Sequence, residues 1–304
     1  MQNLFSFKTL AEFMEHFRDE ETCRAAFADI RFRNGEYCPH CGHTTIYTFN
    51  SGKRYRCAGC KQDFTIKTGT VFGESKVSLK KWFIAIYLLS TTSKGISSVQ
   101  LAKHVGVTQK TGWFMDHRLR KAMQQNGGQL FGTVEADETF IGGKEKNKHA
   151  SKRKHVGTGG AGKTPIFGMR DREGKTRAQV VQSVGSRGLQ EIIKQSIAAN
   201  SIVYTDSWVG YNNLTGYRHT VVNHSKGVYV DGDAHTNSIE SFWALFKRGY
   251  HGIYHWMSAK HLQRYVDEFT FRLNRKGQKM HTVFADVVER VTDNSPLPYK
   301  QLIA

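Results

Sequence analysis

The spacing of apolar residues changes several times along the chain, and each change marks a different element. Phe27 and Ile30 follow Cys23 at i+4 and i+7, one face of a helix, which predicts a helical segment over 1–35 with Cys23 in its core. The stretch LKKWFIAIYLLSTT (79–92) is apolar nearly all round, and its length suits a buried helix and not a membrane span. In ISSVQLAKHVGVTQKTGWFMDHRLRKAM (96–123), Ser97 or Ser98 can cap one helix, Gly106 the turn, and Thr108 can cap a second. From residue 130 the pattern becomes strand-like. TVEADETFIGG reads as a strand, TPIFGMRDREGKTRAQVVQSV as a hairpin, 188–199 as a helix, and SIVYTDSWVGY as a strand ending in Asp206. YRHTVVNHSKGVYV is short and strand-like, and two amphipathic helices fill 237 to about 274. The expectation is an α/β domain over 130–280, with 281–304 as a tail. GGKEKNKHASKRKHVGTGGAGKT (142–164), Gly- and Lys-rich without apolar period, reads as a mobile basic insertion.

Composition adds a partner. Among 304 residues, 44 are Lys or Arg and 26 Asp or Glu, a formal charge of +18 that suits a polyanion, nucleic acid above all. The basic residues are spread over the chain and form no amphipathic stripe, which argues against a membrane surface. The start, MQNLFSFKTLAEF, has no basic segment followed by an apolar one, so a soluble cytoplasmic protein associated with the nucleoid is expected.

In that setting the cysteines read as metal ligands. Cys38 and Cys41 form one Cys-x2-Cys, Cys57 and Cys60 another, with fifteen residues between. This is the spacing of a structural four-thiolate Zn²⁺ site over 36–72. Gly42 and Gly59 would make the tight turns, and a hairpin would reverse at Asn50-Ser51-Gly52. Arg54 and Arg56, on this ribbon, suit phosphate contacts. The helical region 76–125 has the layout of a helix-turn-helix, though an ordinary helical hairpin shows the same pattern. Its second helix carries Gln109, Lys110, His117, Arg118, Arg120 and Lys121, with Lys110 and Arg118 the candidate DNA contacts.

The acids are few and placed. On a strand Glu135 and Asp137 share a face, while Glu138 points away and reads as structural. Asp206 ends a buried run. In HTNSIESFWALFKRGY (235–250), Ile239, Phe242, Trp243 and Phe246 form one helical stripe, with Asn237, Glu240, Ala244 and Lys247 opposite. Asp137, Asp206 and Glu240 lie on separate elements and suit two Mg²⁺ or Mn²⁺ ions about 3.5–4 Å apart, as in phosphoryl transfer; unrelated surface acids give the same spacing.

Taken in order, TLAEFMEHFRDEETC, NGEYCPHCG, YRCAGCKQDFTIKTGTVF, the 96–123 segment, VEADETFIGG, VYTDSWVGY and HTNSIESFWALFKRGYHGIYHWMSAKHLQRYVDEFTFRLN resemble the zinc-ribbon, ISXO-like family of DDE-type insertion-sequence transposases. The resemblance covers nearly the whole chain. It implies an RNase H-like catalytic core with Asp137 and Asp206 as the first two metal-binding acids. Glu240 would be the third, with Lys247 seven positions later. Some related transposases have Asn in the third place, and Asn237 could fill it; Glu240 is favoured because a carboxylate compensates a cation's charge. Lys247 would contact a DNA phosphate or the metal-bound nucleophile, and His235 could touch DNA. The implied activity is binding of terminal inverted repeats, metal-dependent 3′-end cleavage and strand transfer to target DNA, by at least a dimer. The alternatives are a zinc-ribbon and helix-turn-helix regulator that does not cut, and a nuclease that does not join.

Overall fold

A computed structural model of the chain describes residues 5–125, 127–143, 147–153, 160, 162–222 and 235–303. It divides into two compact units, Met1–Gln124 with Gly277–Ala304, and Gln125–Lys276.

The first unit opens with α1 (Leu10–His16) and α2 (Glu20–Arg31), the latter started by a reciprocal cap between Asp19 and Thr22. Cys23 and Phe27 are fully buried on α2. A three-stranded antiparallel ribbon follows: β1 (Ile46–Phe49), β2 (Arg54–Cys57) and β3 (Asp63–Phe64). The β1–β2 hairpin reverses at Asn50, Ser51 and Gly52, all with positive φ. Then come α3 (Leu79–Thr91), α4 (Ser98–Val105) and α5 (Gln109–Ala122). Ser97 caps α4 through Gln100 N–H, Gly106 ends it at φ 64°, and Thr108 caps α5 through Thr111 N–H.

The second unit is a five-stranded sheet of β4 (Thr133–Ile141), β5 (Thr164–Asp171), β6 (Thr176–Val180), β7 (Ile202–Thr205) and β8 (Arg218–Val221), in the order β6-β5-β4-β7-β8. β5 runs antiparallel to both its neighbours, while β4, β7 and β8 are parallel. A mixed sheet in the domain order 3-2-1-4-5, with its second strand reversed, is the RNase H-like arrangement. One face packs on α6 (Ser186–Ser196) through Val134, Ala136, Phe167, Leu189, Ile193 and Val203. The other packs on α7 (Asn237–Gly249) and α8 (Leu262–Asn274) through Ile141, Ile166, Ile239, Trp243, Phe246 and Phe269. Residues 144–146, 154–159 and 161 of the basic segment 142–164, and all of 223–234, lie outside the described residues.

Gly168 on β5 stands opposite Asp137 on β4 and lets α7 approach. A Cβ there would lie 2.5 Å from Trp243 Cζ2 and 2.7 Å from Cη2. Both sit in a packed core, so Gly168→Ala is expected to cost about 1–3 kcal/mol. The check is a urea melt, where an unshifted midpoint would show that α7 does not depend on this contact.

The chain ends in the first unit, with α9 (Met280–Asp293) and α10 (Tyr299–Ile303). The expectation of a tail over 281–304 is therefore corrected. Phe284 is fully buried, its ring centroid 5.4–5.5 Å from those of Phe5, Phe7, Phe13, Phe17 and Phe83. The same segment overturns one DNA contact. Arg118 is 2% exposed, donates from Nε to the Leu297 carbonyl at 3.2 Å and lies over the Phe114 ring. Burial pushes its guanidinium down to about 10. His117 and Arg120 are buried too, so the exposed residues of α5 are Gln109 and Lys110 in its first turn, with Lys121 half-buried near its end. Lys110 there is exposed, its ammonium 5.0 Å from the Tyr299 ring. Among the described residues, no helix is long and apolar enough to cross a membrane.

Candidate active site

In the ribbon the four cysteines converge, with Sγ atoms all within 4.8 Å of one another. Cys38 and Cys60 are 3.7 Å apart and Cys41 and Cys57 3.6 Å. That is far beyond a disulfide and close to the edge of a tetrahedron with Zn–S bonds of about 2.3 Å. Backbone N–H groups of His40, Gly59 and Cys60 point at the Cys38 and Cys57 sulfurs, as thiolates require. The donor set fits zinc. The turn chemistry differs in one place: Gly42 has φ 77°, but in the second knuckle Lys61, at φ 60°, makes the left-handed turn. Gly59 instead makes room for the His43 ring, 3.1 Å from where its Cβ would be. Arg54 and Arg56 are about half exposed and lean toward Asp63, at 3.8 and 3.9 Å.

The acids of the second unit gather by strand register. In the parallel β4–β7 pair every partner is 69 positions along, as in Glu135↔Tyr204, and Asp137 and Asp206 are also 69 apart. The register thus carries Asp206, just past the end of β7, alongside Asp137. Glu240 approaches from α7, on the exposed side of the helix with Asn237, Ala244 and Lys247, and its carboxylate accepts a 2.8 Å bond from the Thr236 hydroxyl. Electrostatics registers this proximity. Burial, then the charges of Glu138, Asp206 and Glu240, pushes Asp137 up to about 7. Among the described residues no ion pair reaches Asp137, Glu138 or Asp206. Carboxylates gathered in this way are a donor set for hard divalent cations. The cysteines are the one group, among the described residues, whose ligand atoms close to within 4.8 Å; the carboxylates are associated through their fields.

Two further carboxylates have definite partners. Glu135, 1% exposed, accepts from the N–H groups of Ser238 and Ile239 at 2.8 and 2.9 Å, so a side chain of the central strand caps α7. Arg172 Nη1 at 2.6 Å and His235 Nδ1 at 3.2 Å meet its other oxygen. Glu138 projects to the α6 side, where the buried Tyr211 hydroxyl donates to it. Its carboxyl is raised by burial and by Asp206, and lowered by that hydroxyl.

The ISXO2-like transposase domain matches residues 129–274, and the transposase zinc-ribbon domain matches 18–63. An uncharacterized protein in transposable element ISH50 of Halobacterium salinarum is 31% identical over 76% of this chain and 83% of its own length. The chain belongs to the ISXO2-like transposase family. An uncharacterized transposase-like protein of Haemophilus influenzae is 30% identical over 34% of this chain and 85% of its own. A crystal structure of the Mos1 strand transfer complex aligns over 67% of this chain and 77% of its own, at 12% identity and a TM-score of 0.27.

Within this family member, sequence reasoning placed Glu135 on the Asp137 face but gave it no partner, since the helix it caps begins about a hundred positions later. Tyr211 was missed altogether. The available signal was the aromatic residue five positions past Asp206, in a loop that must fold back onto the sheet. Glu138, read as structural, lies in the field of both aspartates.

Proposed function

We propose that this transposase binds the terminal inverted repeats of its insertion sequence, cleaves the 3′ ends and joins them to target DNA. The observation that carries the reading is the convergence of Asp137, Asp206 and Glu240 from two adjacent strands and one helix, in a chain of formal charge +18. Two Mg²⁺ or Mn²⁺ ions bound there would activate the attacking oxygen and stabilise the leaving one. Asp137, on the central strand, would hold them together with Asp206 and Glu240. Glu135 fixes the start of α7 and so the place from which Glu240 reaches in. Lys247, exposed on the Glu240 side two turns later, binds a phosphate of the DNA. The carboxylates do not touch DNA directly; the basic surface holds it, with Lys110, Arg54 and Arg56 as contacts outside the catalytic unit. Pairing two ends on one target calls for at least a dimer.

The test is a Mg²⁺-dependent strand-transfer assay with duplexes carrying the sequence that flanks the coding region. Joined product is expected. A gel shift without cleavage would mean a regulator, and cleavage without joined product a nuclease.

A further inference from the structure

The segment after Asp206 carries a feature that holding a cation does not require. Trp208 is 42% exposed and Val209, beside it, 62%. A lone exposed aromatic is ordinary; this one is held. Its backbone N–H donates to Asp206 Oδ1 at 3.0 Å and its indole Nε1 to the Val184 carbonyl at 3.1 Å. Gly210 leaves room for the ring, since a Cβ there would fall 2.7 Å from Trp208 Cδ1 and Nε1. The next residue, Tyr211, is fully buried and bonded to Glu138. The 206–211 segment is thus pinned at the carboxylate, along the ring edge and at its far end. The indole's one polar atom is already used, so what it presents to solvent is apolar ring.

We propose that Trp208 is a stacking platform for one nucleobase beside the scissile phosphate. The proposal rests on the DNA-cleaving reading above. If Asp206 serves the phosphate under attack, an indole two residues on lies within a nucleotide of it. A duplex base is covered by its neighbours, so the occupant is a base unstacked next to the cut. Every base has a π-face, so the platform tolerates any sequence, and a ring fixed in advance loses little freedom when the base arrives.

The test is a coupling cycle with full-length protein and inverted-repeat duplexes that are intact or carry an abasic site on one or other side of the cleavage position. Stacking of one base is worth roughly 5- to 150-fold in affinity, so Trp208→Leu is expected to bind intact ends about tenfold more weakly. At one of the two positions the abasic duplex should bind wild type and Trp208→Leu equally. Trp208→Phe, which keeps a ring but loses the bond to Val184, should retain most of the wild-type preference for the base. An equal loss on intact and abasic DNA would overturn the platform and leave a structural role. So would wild-type affinity of Trp208→Leu for intact ends. If the wild type cleaves in Mg²⁺ and no coupling appears at either position, the platform alone falls. If the wild type does not cleave, the cleavage reading falls and takes the platform with it.

Discussion

Asp137→Asn is expected to lose DNA cleavage by about 10³-fold or more while binding the element ends as tightly as the wild type. The size follows from what a bound metal supplies, several kcal/mol of transition-state stabilisation, at tenfold in rate per 1.36 kcal/mol. Selectivity for cleavage over binding follows from position. Asp137 is half-buried in the central strand among other acids and is no surface for an anion. A structural role predicts something different. Without added Mg²⁺ or Mn²⁺, burial and the charges of Glu138, Asp206 and Glu240 work against an ionised Asp137. Its raised carboxyl contributes stability at low pH that is lost as pH rises through about 7. The neutral amide should therefore raise the thermal midpoint at pH 8, with zinc kept in place. A lowered midpoint together with lost DNA binding would make Asp137 a folding residue. The same assay decides the third ligand: Glu240→Gln should lose cleavage and Asn237→Ala should keep it.

Removing zinc should have the other large effect, in the other unit. Three short strands, of four, four and two residues, bury little apolar surface, chiefly Tyr55, Cys57 and Phe64. Metal binding in such modules supplies about 10–16 kcal/mol at neutral pH, so the metal-free ribbon has no comparable source of stability. Four thiols crowded within 4.8 Å also repel one another once ionised. A strong chelator is expected to erase the dispersed amide NMR signals of 38–60 and leave those of the β4–β8 sheet in place. Cys57→Ser should give the same spectrum without chelator. Unchanged ribbon signals after zinc is measured as gone would contradict a structural metal.

What the sequence disclosed divides by the range of the interaction. Caps at Ser97 and Thr108 and the left-handed Gly106 are settled within three or four residues, and they were legible. So was the α7 stripe, because a single helix face must be apolar wherever its partner comes from. Four cysteines at knuckle spacing need no context. Arg118 was misread because its surroundings come from Leu297, 179 positions away, and nothing local distinguishes a buried guanidinium from an exposed one. The 281–304 segment looked like a tail for the same reason: Phe284 finds its neighbours among phenylalanines near the other end of the chain. The 69-residue offset was visible as a number before it had a meaning. Only the parallel register of β4 and β7 makes it the distance between two side chains.

The carboxylates' task as cation ligands is tested most directly by exchanging one of them for a sulfur. Asp206→Cys places a soft thiolate where Mg²⁺ wants oxygen, whereas Mn²⁺ accepts the softer ligand more readily. Cleavage of inverted-repeat duplexes by this variant should be absent in Mg²⁺ and return in Mn²⁺, with DNA binding equal in both. Wild-type cleavage by Asp206→Cys in Mg²⁺ would show that Asp206 does not hold the catalytic ion.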